Sequence, residues 1–144
     1  MIEINNQSSS LAAAMTRAQE LTSSHRDEFL MPEHLLLSIA WQPQFLIAVP
    51  GAMGIPAIML DFIDKFSPTV PENVQYNGAT PSSKFVEMLQ VAAQFVAGSG
   101  SRQVDVPHII RSMMQLNGSF AHDVLVKLAG DKTKDLIERV ERQY

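Results

Sequence analysis

The chain repeats itself. Residues 10–40 align on residues 84–114 with a shift of 74 and no gap. Leu11 meets Phe85, Met15 meets Leu89, Ala18 meets Ala92, Leu21 meets Phe95 and Leu30 meets Val104. His34 then meets His108, Leu35 meets Ile109, Leu36 meets Ile110 and Ser38 meets Ser112. After residue 40 the register slips by a few residues. Each copy of such a repeat is one supersecondary unit that must bury its apolar face on a neighbour. Two copies are too few for a solenoid, so they are expected to pack on each other as one globule.

Within each copy the apolar spacing is helical. Leu11, Met15, Ala18 and Leu21 recur every three or four residues, with Ser10 as a candidate cap. Pro32 suits a first helical position, followed by Leu35, Leu36 and Ile39. Short helices are predicted at 43–49 and 55–66, the second with Ile55, Ile58, Met59, Phe62 and Ile63 on one side. Residues 67–80, with two prolines and Asn77-Gly78, read as a linker. Thr80 and Pro81 then suit a cap and first position, and Phe85, Met88, Leu89, Ala92 and Phe95 form the stripe. Asp105 can cap the next helix, and two more are predicted at 119–129 and 132–143. No run alternates with period two, so no sheet is expected. The reading is an all-α fold: about eight helices as two pseudo-twofold-related four-helix repeats. It makes residues 1–144 a single domain, with repeat one at about 8–66, the linker at 67–80 and repeat two at about 81–143.

Composition narrows the function. The 144 residues are 46% hydrophobic and 18% charged, too apolar for a disordered chain. With no cysteine there is no disulfide, iron–sulfur cluster or thiolate zinc site. No signal-peptide pattern opens the chain, so a cytoplasmic location is expected. The net charge of −4 is uneven, at −5 over residues 1–79 and +1 over 80–144. No basic patch interleaves with aromatics, which argues against nucleic acid. Leu35–Leu60 carries no charge, but Pro43, Pro50 and Pro56 would leave backbone groups unsatisfied in lipid, so no membrane span is expected.

Catalytic signatures are missing. There is no nucleophile elbow, no Cys-His pair and no Walker loop. The chain is therefore expected not to be an enzyme and to carry no cofactor or metal. His25, His34, His108 and His122 do not cluster at metal-ligand spacing, and the repeated pair His34 and His108 suits a structural hydrogen bond. The methionines at 31, 53, 59, 88, 113 and 114 could line a groove but at helical spacing suit a core. Trp41 reads as a core plug.

The stretch Glu28-Phe29-Leu30-Met31-Pro32-Glu33-His34-Leu35-Leu36-Leu37, its weaker copy at Val104–Met113, and Thr80-Pro81-Ser82 opening the second repeat carry a resemblance. Together with Met15–Leu21 they resemble the Clp amino-terminal domain of Hsp100 AAA+ unfoldases over about residues 8–142, closest to the ClpA type, with ClpC and ClpB relatives. The resemblance implies eight helices in two repeats. It also implies a substrate- and adaptor-recognition module ahead of two ATPase modules, which bind ATP and magnesium and feed a ClpP-type peptidase. A ClpS-like adaptor, or a substrate protein or peptide, is the implied partner, and the isolated domain is expected to be a monomer. Two departures stand out: Met31 replaces the usual Thr, and Pro107 replaces the Glu of the second copy, so the paired glutamates that bind phosphoarginine in some ClpC-type domains are reduced to Glu33.

Asp27, Glu28 and Glu33 are the sequence's most informative charges. Acids at a helix start gain about 0.3–1 kcal/mol from the dipole. By the resemblance, Glu28 and Glu33, with the segment around Ser82, match the ClpS-docking surface, so Asp27, Glu28, Glu33 and Ser82 are the candidate binding residues. Two other functions stay open: a free-standing Clp-repeat protein without an ATPase, and a small helical carrier using the Phe45–Leu60 region as an apolar pocket.

Overall fold

The structure, a computed structural model, describes residues 6–100 and 102–144. In the first repeat α1 spans Ser9–His25, α2 Pro32–Ile39, α3 Pro43–Ala48 and α4 Ile55–Phe66, with a 3-10 turn at Pro50–Gly54. In the second, α5 spans Ser83–Ser99, α6 Val106–Gln115, α7 Phe120–Ala129 and α8 Thr133–Gln143. Leu11, Leu35, Phe45 and Met59 of repeat one join Phe85, Met88, Ile109 and Leu125 of repeat two in one apolar core.

The 74-residue shift holds down to hydrogen bonds. Ser8 caps α1 by accepting the Leu11 N–H, and Ser82 caps α5 by accepting the Phe85 N–H, each at 3.1 Å. The caps are thus Ser8 and Ser82, not Ser10 and Thr80: Ser8, two residues before Ser10, and Ser82, two residues after Thr80, have the extended backbone a cap needs. Both first helices stop at a left-handed residue, Arg26 at φ 56° and Gly100 at φ 76°. His34 Nδ1 accepts the Met31 N–H, and His108 Nδ1 accepts the Asp105 N–H, each at 2.9 Å. Met31 has no side-chain oxygen to cap with, and the His34 N–H is taken by the Met31 carbonyl.

A small parallel ladder corrects the expectation of no sheet. Strand β1 (Phe29–Leu30) pairs with β2 (Thr80–Pro81), so Thr80 and Pro81 lie in a strand rather than a helix start. Gln7 bridges Val104 in the same sense, 74 residues out of phase. The segment before each repeat's first helix thus pairs with the segment after the other's. Such pairing joins distant residues, and two-residue strands are too short for alternation to reveal them.

The symmetry breaks after α2. Helix α3 packs on α8, and Tyr144 Oη donates to Gln42 Oε1 at 2.6 Å beside them. The corresponding pair, α7 and α4, touches through stacked Phe62 and Phe120 rings (4.4 Å, 6°). Beside that stack a groove opens.

Candidate functional site

The groove has a volume of about 530 Å3 and is lined by Gly51, Gly54, Ile55, Ile58, Phe120 and Val124, among others. Its walls follow from helical spacing. On α4, Ile55, Met59 and Ile63 turn into the core, while Ile58, Phe62 and Phe66 form the adjacent stripe. Ile58 is 45% and Phe66 67% exposed, so the side of the helix that carries Ile55, Ile58, Met59, Phe62 and Ile63 is only partly covered. On α7, Ala121 and Leu125 are buried, leaving Val124 and Leu128 half-buried along the groove. Asp123 and Lys127 give that wall its charged edge. Gly51 matters at the floor, because a Cβ there would lie 2.7 Å from Leu128 Cδ1.

The sequence-predicted residues lie elsewhere. Asp27 is wholly buried, at the centre of a polar cluster. His34 Nε2 donates to its Oδ2 at 2.8 Å, while His25 Nδ1 (2.5 Å) and Ser67 Oγ (3.0 Å) donate to its Oδ1. Since His34 Nδ1 is an acceptor, Nε2 is the protonated nitrogen. Burial works to raise the Asp27 pKa, but hydrogen bonds from His34 and His25 outweigh it and hold the carboxyl below its ordinary value. The bond to Asp27, with Asp64 beyond, raises the pKa of His25.

Glu33 is also buried, at 3% exposure, and its Oε2 accepts the Ala121 N–H at 2.8 Å across the repeat interface. Burial raises its pKa, opposed by that hydrogen bond. It holds the start of α7, one residue from Phe120 in the groove wall. Ser82 is half-buried and occupied as the α5 cap. Glu28 alone of the three acids is exposed. The expected surface patch of Asp27, Glu28 and Glu33 therefore does not form, because two of its acids turn inward to satisfy buried donors.

Other expectations sort by burial. Met59, Met88, Met113 and Met114 are core, and Met53 stands 78% exposed on the 3-10 turn. Trp41 is half-buried rather than a plug, with the Arg17 guanidinium 4.1 Å from its ring centre. Of the Phe45–Leu60 region, Phe45 is core while Gly51, Gly54, Ile55 and Ile58 line the groove. The sequence reading missed Phe66, Phe120 and Val124; the periodicity of α4 and α7 was the only signal, and it does not say which helices face each other. Among the described residues no helix is long and apolar enough to cross a membrane, and no three His, Asp or Glu side chains are placed to hold a metal ion.

Comparison with known proteins places this geometry. The structure is similar to the Hsp104 N-terminal domain from Candida albicans, with a TM-score of 0.75 at 16% identity, covering 94% of this chain and 89% of that one. A structure described as a peptide from the EAEC T6SS Sci1 SciI protein is similar at TM-score 0.74 and 16% identity, with 96% and 90% covered. The N-terminal domain of the chaperone ClpD from Arabidopsis thaliana is similar at TM-score 0.66 and 14% identity, with 99% and 96% covered. At such identities these likenesses establish the fold. The family of Clp repeat (R) N-terminal domains matches residues 6–128, and with nearly the whole chain accounted for, the chain belongs to that family.

Proposed function

We propose that this domain is a polypeptide-receiving module of a Clp-type ATPase, taking an apolar segment of an adaptor or client protein into the groove between α4 and α7. The observation that carries the reading is the exposed apolar stripe of Ile58 and Phe66 on α4, whose Ile58 lines the groove together with Val124 and Leu128, where the repeat symmetry would otherwise have closed the interface. Such a groove gives affinity through apolar burial, at roughly 25 cal/mol per Å2 before association costs. The domain itself performs no chemistry. Hydrolysis of ATP, and transfer to a peptidase where there is one, belong to modules outside these residues. A ClpS-like adaptor that docks by charge would meet Glu28, the exposed member of the acidic trio.

The test is a fluorescence-anisotropy titration of the domain with a labelled, permanently unfolded protein. Ile58→Glu places a charge in the groove and Phe66→Glu places one on the same exposed stripe of α4; each is expected to weaken binding about tenfold or more, with Tm unchanged because both residues are already exposed. Binding equal to wild type for both variants overturns the groove. Glu28→Lys, titrated against a ClpS-like adaptor at low and high salt, is expected to weaken docking and remove its salt dependence.

A further inference from the structure

In the first repeat the imidazole of His34 finds a carboxylate inside the protein: Nδ1 accepts a backbone N–H and the Nε2–H goes to Asp27. The second repeat keeps the imidazole and its backbone bond, since His108 Nδ1 accepts the Asp105 N–H at the same 2.9 Å. Its Nε2 therefore carries a proton as well. By the 74-residue shift, however, the residue matching Asp27 is Ser101, the residue matching His25 is Ser99, and Leu37 is replaced by Arg111. The donor stayed, the carboxylate went, and a cation arrived.

A cleft of about 250 Å3 opens at this place, lined by Phe95, Ser99, Pro107, His108, Arg111 and Ile137, and equally by Asp105, Glu141 and Tyr144. Among the described residues neither the His108 Nε2–H nor the Arg111 guanidinium has a hydrogen-bond or ion-pair partner. The guanidinium lies 4.1 Å from the Phe95 ring centre, which orients its planar fork and leaves its N–H edges available. Asp105 is occupied, accepting the Ser8 hydroxyl at 2.6 Å and the Val106 N–H at 2.7 Å. Glu141 is exposed and works against an anion.

We propose that this cleft of the second repeat binds a carboxylate, and that the carboxylate is the C-terminus of a polypeptide ending in an apolar residue. The His108 Nε2–H and the Arg111 fork supply charge-assisted bonds to it, and Phe95, Pro107 and Ile137 supply the apolar walls for the last side chain. An Asp or Glu within a chain would bring backbone on both sides, which so small a cleft does not hold; a terminus brings it on one. The proposal rests on the reading of the domain as a polypeptide receiver, but it uses a separate cleft.

The experiment is an NMR titration of the domain with acetyl-Ala-Ala-Leu as the free acid and as the C-terminal amide. The free acid is expected to move the His108 ring and Arg111 Nε–H signals and to saturate, with the amide weaker by about tenfold or more. Arg111→Gln, an exposed position whose loss leaves the core intact, should abolish the difference between the two peptides, and Glu141→Gln should tighten the acid. Equal binding of acid and amide overturns the proposal, as do shifts confined to Ile58, Phe66 and Val124, or no shift at His108. Acetate binding as tightly as the peptide overturns the assignment to a polypeptide terminus. The α4–α7 groove is judged separately by Ile58→Glu, so either site can fail without the other.

Discussion

The first repeat turns its polar residues inward, and the second leaves the matching imidazole, His108, on the wall of a cleft. At the end of α1, His25, Asp27, His34 and Ser67 close a buried cluster around one carboxylate. Arg26 adds guanidinium bonds to the carbonyls of Val70, Pro71 and Val74, and Tyr76 Oη donates to the carbonyls of Thr22 and Asp27. The 67–80 connection is thereby fastened to repeat one. At the end of α5 a glycine turns the chain, and a cleft remains beside His108. The pattern is reversed across the interface, where α3 closes on α8 but α7 leaves a groove against α4. The lesson is that one backbone plan tolerates divergent contents, and that openings arise where one copy lacks what the other uses to close.

Replacing Asp27 should break the comparison most. Asp27→Ala leaves the His34 Nε2–H and the Ser67 hydroxyl without their acceptor in the interior and takes one from the partly exposed His25, and each buried donor left unsatisfied costs about 1–3 kcal/mol. Urea unfolding should show a lowered midpoint with a single transition, because the repeats share a core and should melt together. Two separated transitions would mean that the halves are independent.

Glu33 comes next, since the second repeat manages with Pro107. Glu33→Ala leaves the Ala121 N–H without its buried acceptor and should cost about 1–3 kcal/mol. Glu33→Gln keeps an acceptor oxygen and avoids burying a charge, so its chemical-denaturation midpoint should fall between those of wild type and the alanine variant. A glutamine as damaging as alanine would show that the charge itself is required.

The pH dependence is smaller and separates the two ends of the cluster. His25 holds its proton more tightly folded than unfolded. Its contribution is therefore complete below the ordinary value of 6.5 and is lost as pH rises through the raised folded pKa. Asp27 behaves oppositely: its contribution is present above the ordinary 3.8 and is lost as pH falls through the lowered folded pKa. Since His25 is partly exposed, its share should be within about 0.2–1 kcal/mol. Thermal melts at pH 6 and pH 8 should differ for wild type, and the difference should shrink in His25→Gln.

The smallest effect should come from Arg26→Gly, which copies Gly100. Glycine relieves the left-handed backbone at φ 56°, worth about 1 kcal/mol, and forfeits the guanidinium bonds to the linker. The two nearly offset in Tm, while amide exchange at Val70 and Val74 should quicken.

Much of the architecture was legible because it repeats. The 74-residue register, the eight helices, the linker and the paired histidines are local patterns written twice, and copies of one pattern check each other. Asp27 and Glu33 were legible as charges at a helix start. Their direction was not, because their partners lie far along the chain: Ser67 is 40 residues from Asp27 and Ala121 is 88 from Glu33. The groove was hidden for the same reason. Periodicity assigned Ile58 and Phe62 to the same face as Met59 and Ile63, and only the packing of α7 decided which side of that face was covered. Sequence fixes helices through interactions within a few residues. Whether a side chain ends in the core or at an opening depends on what the rest of the chain brings against it, and that is settled by tertiary packing.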